Sequence, residues 1–237
     1  MEQDFQLNGY QLIEGFYNGD EVAALLNLIN DVDTTNDTFR KMGDLFAIRQ
    51  FLRELPATAS IIFNDKLRAT LSLIFGTKYF VVKSIYFDKP SGSNWYVSYH
   101  QDLTISVDKR VQLEGFNRWT TKQNQFAVQP PLEVLENLVT IRIHLDDTNE
   151  ENGALKVLPG SHLKGIYRPE IIDWKVENEI SCNLSSGGIM LMKPLLLHRS
   201  GRTTNNCRRR VIHIEFSSVS LPSELEWAEQ MDPMPYN

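Results

Sequence analysis

Hydrophobic residues recur at helical spacing in the first third of the chain. In NGDEVAALLNLINDV, residues 18–32, Asn18 or Asp20 can cap a helix. The apolar positions behind that cap recur every three or four residues: Val22, Leu25, Leu26, Ile29 and Val32. The stretch ATASIIFNDKLRATLSLIFG, residues 57–76, repeats this spacing and ends at Gly76, a residue type common at helix C-termini. The pattern predicts a mainly helical N-terminal section up to about residue 78.

After residue 78 the pattern changes to short apolar or alternating runs. These runs predict strands at residues 79–87, 95–102, 138–146, 154–158, 179–184, 188–199 and 209–216. The turn sequences KPSGSN, NEENG, PGSH and SSGG lie between several of them. Many short strands in one chain predict a sandwich or barrel with the helices outside it. We therefore expect a mostly β protein.

The domain organisation follows from the same change of pattern. We expect a single domain over residues 1–237, with a helical section at 1–78 and a β core at 79–217. A long insert at 111–137 interrupts the core, and residues 218–237 form a C-terminal tail. Neither internal repeats nor linker-like compositions divide the chain.

Composition and charge narrow the class of protein. A net charge of −6 argues against nucleic acid or an anionic membrane as the main partner. The first residues, MEQDFQLNGY, are too polar for a signal peptide, and no apolar run approaches the roughly 18 residues of a membrane span. Two cysteines, Cys182 and Cys207, make no disulfide framework, so we expect a reduced, cytoplasmic setting.

One predicted strand, within NWYVSYHQDLTISV, carries a histidine and an aspartate two positions apart. Side chains at i and i+2 share a face of a strand, so His100 and Asp102 stand side by side and can bind one metal ion. The alternative is a solvated strand face, or a histidine that is hydrogen-bonded to a nearby acid. A second histidine would complete the two-histidine, one-carboxylate site of non-haem Fe(II) oxygenases.

The third ligand has several candidates. His198 ends the apolar run MLMKPLLLH, and a polar side chain that faces inward there indicates a functional or structural role. His144 and His213 lie in the middle of predicted strands and could equally line a cavity, whereas His162 lies in a turn. A structural histidine at a strand end is the alternative for His198.

An arginine eleven residues after His198 favours that histidine. Arg209 opens the predicted strand RRVIHIEF, and a hairpin would bring its guanidinium beside the metal face. A planar guanidinium matches the distal carboxylate of a dicarboxylate. The alternative is a solvated basic run, but strand alternation separates Arg209 from Arg208 and Arg210.

These motifs together resemble the phytanoyl-CoA dioxygenase family, from about Lys83 to Phe216. The resemblance rests on YHQDL, on LVTIRIHLDDTNEENGALKVLPGSH, and on KPLLLHRSG followed by RRRVIHIEF. It implies a double-stranded β-helix (jelly roll, cupin-like) with Fe(II), and with 2-oxoglutarate and dioxygen as cosubstrates. It also implies oxidation of an aliphatic C–H bond, with release of succinate and carbon dioxide.

The resemblance also assigns roles residue by residue. His100, Asp102 and His198 match the iron ligands, and Arg209 matches the 2-oxoglutarate anchor. Two further positions match residues that commonly touch the cosubstrate: Gln101 and Ser200. The chain departs from the family at the 111–137 insert, and at Arg142, where some relatives have an aromatic cosubstrate contact.

The resemblance implies a small organic molecule as the substrate. The family's name is not carried over to that substrate, because no signature for binding coenzyme A is evident in this acidic chain. Residues on strands near the site, or in the insert, are candidates for contacting it: Lys83, Tyr86, Trp95, Trp119, Lys122, Arg142 and His144. Lys83 and Tyr86 cannot share a strand face, whereas Arg142 and His144 do. The insert, which contains Trp119, is expected to act as a lid, with a peripheral hairpin over a sheet edge as the alternative.

Two other functions fit parts of the pattern. A jelly-roll binding or regulatory protein could hold a metal without turnover, although a site for a metal alone does not need Arg209. A cupin-type hydrolase or isomerase could use zinc or manganese, although such sites commonly have more histidines and lack the arginine. The oligomeric state is not indicated by the sequence.

Overall fold

Short helices form the N-terminal section in a computed structural model that describes residues 2–31, 39–42, 45–76, 78–122 and 125–233. Their bounds are α1 Glu2–Asn8, α2 Gly19–Asn30, α3 Phe51–Glu54, α4 Ala59–Ile62 and α5 Asp65–Phe75. None of the helices within these ranges is both long and apolar enough to cross a lipid bilayer.

Local capping explains where two of these helices begin. Asn18 and Glu21 form a capping box at the start of α2, so that predicted helix is confirmed, although Val32 lies outside the described residues. The second predicted helix, by contrast, is divided into two helices, α4 and α5. Its chain breaks at Phe63, and the Asn64 side chain then accepts a 3.0 Å hydrogen bond from the backbone N–H of Leu67 to start α5.

Fourteen strands are described in those ranges, and all of their pairings are antiparallel. They are β1 Tyr10–Ile13, β2 Phe39–Met42, β3 Leu45–Arg49, β4 Phe80–Lys89, β5 Val97–His100, β6 Ile105–Val107, β7 Asn117–Lys122, β8 Gln125–Gln129, β9 Val139–His144, β10 Leu155–Val157, β11 Ile180–Ser181, β12 Ile189–Met192, β13 His198–Ser200 and β14 Arg209–Ser217. A short helix, α6 Leu132–Glu136, follows β8.

Three sheets are built from these strands. The large sheet has the order β1-β12-β9-β14-β4-β3-β2, and the small sheet has the order β11-β10-β13-β5. A third sheet, β6-β8-β7, is called here the insert sheet. The large and small sheets enclose one cavity, which takes lining residues from both. The predicted jelly-roll core is confirmed.

The large sheet has one apolar and one polar face, because its strands alternate. Ile141 and Ile143 on β9, and Ile212 and Ile214 on β14, belong to the main hydrophobic core beneath the N-terminal helices. The intervening positions of β9 and β14 carry mostly charged or polar groups toward the small sheet, β4 adds Lys83, Ile85 and Phe87, and this second face becomes the wall of the cavity. Burial of the first face therefore fixes which side chains reach the site.

Two expectations about the strands are corrected. The section before residue 78 also contributes β1, β2 and β3 to the large sheet. The predicted strand 188–199 is two strands, because the segment after Met192 turns at Pro194, which has no N–H to donate to a ladder. Leu195, Leu196 and Leu197 then enter three different hydrophobic clusters.

The 111–137 insert folds as a hairpin and a short helix beside the core. β7 and β8 pair with each other and β8 pairs with β6, so the hairpin extends the strand that follows Asp102. Trp119 packs half-buried against a cluster that contains Val107, Phe116 and Trp227. No described residue of the insert lines the cavity between the large and small sheets. The lid expectation is therefore corrected in favour of a peripheral hairpin.

Replacing Trp119 by alanine should lower the free energy of unfolding by about 1–2 kcal/mol, because a half-buried aromatic ring leaves its cluster. The affinity for 2-oxoglutarate should not change. Urea unfolding and cosubstrate titration of the same protein measure both quantities. Trp174→Ala is the matched control, since Trp174 is 57% exposed and should lose less stability. If the Trp119 variant consumed more 2-oxoglutarate than the unmodified protein in the absence of substrate, the hypothesis that the insert is a lid would be favoured again.

The C-terminal tail is fastened to the core by a buried carboxylate. Glu229 is 4% exposed, and its carboxylate accepts hydrogen bonds from the backbone N–H and the hydroxyl of Ser84 on β4. The Ser84 hydroxyl in turn accepts a 2.9 Å hydrogen bond from the N–H of Leu52 in α3. Glu229 thus joins the tail, the large sheet and an N-terminal helix.

Glu229→Ala should destabilise the fold by about 2–3 kcal/mol, because two buried donors of Ser84 lose a charged acceptor. Chemical denaturation of purified protein measures this loss. Glu226→Ala, at an exposed position of the same tail, should change the stability by less than about 0.5 kcal/mol. Equal losses in the two variants would show that the contact with Ser84 contributes little.

Candidate metal centre

Two histidines and one aspartate meet at the edge of the small sheet. His100 on β5 and His198 on β13 are direct cross-strand partners, and their ring centroids lie 4.2 Å apart. Nε2 of His100 lies 3.8 Å from Oδ1 of Asp102, and Nε2 of His198 lies 3.8 Å from Oδ2. The three potential ligand atoms all lie within 4.8 Å of one another. This spacing suits one metal ion bound between them.

Backbone carbonyls orient both imidazole rings. Nδ1 of His100 lies 2.9 Å from the carbonyl oxygen of Ser98, and Nδ1 of His198 lies 2.8 Å from that of Leu196. A carbonyl oxygen only accepts, so each Nδ1 carries the proton and donates. Each Nε2 therefore keeps its lone pair and points it at the other ligands, the tautomer that a metal-binding histidine needs. The donor set fits a divalent iron ion.

The electrostatic environment favours the same protonation states. Burial raises the pKa of Asp102, but the nearby His198, His213, His100 and Lys83 lower it, and the net result is about 2. Burial lowers the pKa of His198 to about 4, against the opposing effect of Asp102. At neutral pH the aspartate is therefore charged and His198 is neutral, as a metal site requires.

A cavity of about 220 Å³ opens beside the three residues. Its walls come from β4, β9 and β14 of the large sheet and from β5, β10 and β13 of the small sheet. Several of the residues that the sequence indicated as functional line it together with the histidines and the aspartate: Lys83, Trp95, Arg142, Ser200 and Arg209. The structure thus collects residues from across more than 120 positions of the chain at one place.

Arg209 reaches the cavity, and its two neighbours do not. Its Nη1 donates a hydrogen bond to the carbonyl oxygen of Gly153, whereas its buried Nε has no hydrogen-bond partner among the described residues. Arg208 and Arg210 lie on the other face of β14, where they form ion pairs with Asp88 and Asp146 respectively. The predicted alternation is present, and of these three guanidinium groups the middle one has no carboxylate partner within the described part of the chain.

Gln101 lies apart from the cavity wall, and its predicted contact with the cosubstrate is corrected. Its Nε2 donates to the carbonyl oxygens of Gly165, at 2.8 Å, and Leu195, at 2.6 Å. Its Oε1 accepts a 2.9 Å bond from the N–H of Tyr167. Strand alternation turns this side chain away from its neighbours His100 and Asp102, and the amide instead joins two loops.

Three of the proposed substrate contacts also lie elsewhere. Tyr86 is buried on the apolar face of β4, where its ring stacks on Phe51. Nδ1 of His144 lies 2.8 Å from Thr148 Oγ1, outside the cavity wall. Trp119 belongs to the cluster beside the insert sheet, and the side chain of Lys122 lies outside the described residues. Packing of the apolar face explains Tyr86, because Lys83 occupies the polar one.

Sequence reasoning missed Glu215, which lines the cavity and is 3% exposed. Its Oε1 lies 2.8 Å from Nζ of Lys83 and 3.1 Å from Nε2 of His213. Counting alternate positions from Arg209 along β14 leads to residues 211, 213 and 215, so the alternation that separated the three arginines also indicates this carboxylate.

The match to a known family decides which family the chain belongs to. The model of the phytanoyl-CoA dioxygenase (PhyH) family matches residues 5–211 of the chain. The chain belongs to the phytanoyl-CoA dioxygenase family. It is an Fe(II)- and 2-oxoglutarate-dependent dioxygenase, with Fe(II) as its metal and 2-oxoglutarate and dioxygen as cosubstrates.

Two curated relatives of this family member show moderate similarity. A probable alpha-ketoglutarate-dependent hypophosphite dioxygenase of Stutzerimonas stutzeri is 23% identical, over 92% of this chain and 78% of that protein. Phytanoyl-CoA dioxygenase domain-containing protein 1 of Danio rerio is 24% identical, over 66% of this chain and 52% of that protein. The chain thus spans about half the length of the Danio rerio protein.

Solved structures share the fold of this phytanoyl-CoA dioxygenase family member. EctD from S. alaskensis, crystallised with 2-oxoglutarate and 5-hydroxyectoine, is 17% identical over 92% of this chain and 75% of that chain, with a TM-score of 0.71. HygX from Streptomyces hygroscopicus, with nickel, 2-oxoglutarate and hygromycin B bound, is 16% identical over 91% and 85% of the two chains, with a TM-score of 0.65. At these identities the likeness shows the fold alone.

Proposed function

We propose that this enzyme oxidises an aliphatic C–H bond of a small organic molecule by hydroxylation or a related step, with release of succinate and carbon dioxide. His100, Asp102 and His198 would hold Fe(II), and Arg209 would bind the distal carboxylate of 2-oxoglutarate. The observation that carries this assignment is a buried guanidinium that has no carboxylate partner among the residues that the structure describes, in the same cavity as two histidines and an aspartate.

Each residue has a definite part in binding and orientation. The backbone carbonyls of Ser98 and Leu196 hold the imidazole rings with their Nε2 lone pairs toward the metal position. Asp102 supplies the negative charge, and its own N–H donates a 2.9 Å hydrogen bond to the carbonyl oxygen of Pro194, in the loop before His198. That bond fixes the spacing between the first two ligands and the third.

The cosubstrate would be oriented by its two ends. Arg209 would offer its guanidinium to the distal carboxylate, and we assign to the hydroxyl of Ser200, which lines the same cavity, a hydrogen bond to that carboxylate or to the keto acid end. When bound, Fe(II) would activate dioxygen, which is the oxidant: 2-oxoglutarate would give up two electrons as it loses carbon dioxide and takes one oxygen atom into succinate, and the other oxygen atom would oxidise the substrate. Ile85, Phe87 and Leu155 give the same cavity an apolar part that excludes water.

The named relative from Stutzerimonas stutzeri suggests a second candidate substrate. That protein is named for hypophosphite, a small inorganic anion with P–H bonds. An oxidation at P–H would need the same ligands and cosubstrate. Hypophosphite therefore belongs in the first substrate panel beside small organic molecules.

We also propose that the reaction takes place in the cytoplasm. Both cysteines are free, with Cys182 buried and Cys207 exposed. An exposed thiol and the oxidisable metal Fe(II) both suit a reducing compartment.

Formation of succinate tests the proposed function. Purified protein is incubated with 2-oxoglutarate and Fe(II), with and without dioxygen, and succinate is measured by mass spectrometry. We expect succinate only when Fe(II), 2-oxoglutarate and dioxygen are all present, and more of it when a true substrate is added. Zn(II) in place of Fe(II) should give none. If no succinate forms under any of these conditions, the alternative of a metal-binding or regulatory protein without turnover would be favoured.

A further inference from the structure

A second buried arginine lines the cavity and has no role in the function proposed above. Arg142 on β9 is 8% exposed and, like Arg209, has a buried Nε without a hydrogen-bond partner among the described residues. No carboxylate within the described ranges forms an ion pair with it. Burying a guanidinium without a paired anion costs free energy of folding, and an anionic ligand in the cavity would offset that cost.

The orientation of Arg142 is fixed by a chain of hydrogen bonds along the floor of the cavity. Its Nη1 donates to Nδ1 of His213 at 3.1 Å, and Nε2 of His213 donates to Oε1 of Glu215 at 3.1 Å. Lys83 pairs with the same carboxylate at 2.8 Å. His213 must be neutral to accept from an arginine, so the chain has one consistent set of donors and acceptors. All four residues line the cavity.

In this series of hydrogen bonds the charge of Lys83 is neutralised, whereas the charge of Arg142 remains available to a ligand. Lys83 and Glu215 neutralise each other, whereas among the described residues the hydrogen-bond partner of Arg142 is a neutral imidazole, and Asp102, which also attracts the guanidinium, belongs to the metal position. A guanidinium held rigidly by one amino group presents its remaining N–H groups in a fixed plane. That arrangement suits recognition of a planar or tetrahedral anion.

The charges of the cavity wall lead to the same conclusion. The wall carries three cationic side chains, Lys83, Arg142 and Arg209, and two carboxylates, Asp102 and Glu215. Fe(II) adds two positive charges, and 2-oxoglutarate adds two negative charges. With the histidines neutral, one positive charge therefore stays unbalanced when metal and cosubstrate are both bound. A substrate with one negative charge would balance it.

We propose that the substrate carries a negatively charged group and that Arg142 binds this group beside the metal position. The inference rests on the proposed function and adds a substrate class to it. The cavity holds about 220 Å³ and must also admit the cosubstrate, so the substrate is a small anion or the anionic end of a longer molecule. Trp95, Ile85 and Phe87 supply apolar contacts for its carbon atoms.

Matched pairs of an anion and its neutral amide test this proposal. The probes are acetate and acetamide, propionate and propionamide, and methanesulfonate and methanesulfonamide. Each is added without dioxygen to the protein loaded with Fe(II) and 2-oxoglutarate, and the visible charge-transfer band is recorded. The thermal midpoint of the Ni(II)- and 2-oxoglutarate-loaded protein gives a second readout that needs no turnover. We expect at least one anion to shift both signals at millimolar concentration, and its amide to shift neither.

Variants of Arg142 then identify the residue responsible. Arg142→Gln should raise the half-saturating concentration of the anion by roughly tenfold or more, since a charged hydrogen-bond donor is lost. The half-saturating concentration of 2-oxoglutarate should change by less than about twofold in the same protein, because a different arginine binds it. Arg142→Lys should recover part of the anion affinity. Arg168→Gln, the same change at an exposed position, should leave both affinities as they were.

Several results would overturn the proposal. An amide that binds as well as its anion, or an absence of any response to all three anions, would show that the cavity does not select negative charge. Loss of 2-oxoglutarate binding with normal anion binding in Arg142→Gln would assign this arginine to the cosubstrate. The band with Fe(II) and 2-oxoglutarate alone separates the two hypotheses, because its absence in the unmodified protein would contradict the proposed function itself, and this inference with it.

Discussion

Replacement of Asp102 by alanine should abolish Fe(II)-dependent succinate formation and weaken Fe(II) binding by more than about 100-fold. Losing a residue that only hydrogen-bonds to a metal ligand already weakens metal binding by up to about 100-fold, and losing a ligand itself should cost more. The reason is the charge and position of this carboxylate, whose two oxygens each lie 3.8 Å from one histidine Nε2. Metal titration of the purified variant under nitrogen measures the affinity. The fold should stay intact, because ligands at an open cavity wall support little of the hydrophobic core.

The matched control is Asp173→Ala, which makes the same change of charge at an exposed position. It should bind Fe(II) as the unmodified protein does. His100→Ala and His198→Ala should reproduce the loss seen with Asp102→Ala, whereas His213→Ala should not, since His213 is hydrogen-bonded to Arg142 and Glu215. If His213→Ala abolished Fe(II) binding and Asp102→Ala did not, the ligand assignment would be wrong.

The second large effect is expected at Arg209. Arg209→Met should weaken 2-oxoglutarate binding by about 3–5 kcal/mol, or more than about 100-fold, because the distal carboxylate of the cosubstrate would be buried without a partner. Fe(II) binding should change little, since Arg209 is not among the three potential ligands. Titration of the Fe(II)-loaded variant with 2-oxoglutarate, without dioxygen, measures the loss.

The neighbouring arginines supply two controls with the same substitution. Arg208→Met and Arg210→Met remove ion pairs with Asp88 and Asp146, so they should lower stability while leaving the affinity for 2-oxoglutarate nearly unchanged. The titration is therefore done at a temperature where all three variants are folded. Equal losses of cosubstrate affinity at positions 208, 209 and 210 would mean that alternation along β14 does not determine the function of these residues.

Short-range patterns in the sequence predicted most of the features that depend on one element. The helix after Asn18 follows from its cap and its apolar spacing, and the separation of Arg209 from Arg208 and Arg210 follows from the two-residue period of a strand. The same period showed that Lys83 and Tyr86 lie on opposite faces, although not which one faces the cavity. The large sheet decides that question, because its apolar face must pack under the helices.

Features that depend on distant partners were not predictable in this way. β1 is only four residues long, and it is a strand because it pairs with β12, some 180 positions later. The side chain of Gln101 stands next to two potential metal ligands in sequence, yet its amide is hydrogen-bonded by backbone groups of residues 165, 167 and 195. The length of the insert predicted a lid, but its apolar residues pack in a hydrophobic cluster with residues of the C-terminal tail. Tertiary contacts determined each of these outcomes.

The most direct test of the proposed metal and cosubstrate site is titration with 2-oxoglutarate in the absence of dioxygen, with the visible spectrum recorded after each addition to Fe(II)-loaded protein. The site proposed here predicts a weak, saturable charge-transfer band in the unmodified protein, no band in His198→Ala, and a band in Arg209→Met only at much higher 2-oxoglutarate concentrations. A band of normal strength and affinity in either variant, or no band in the unmodified protein, would contradict it.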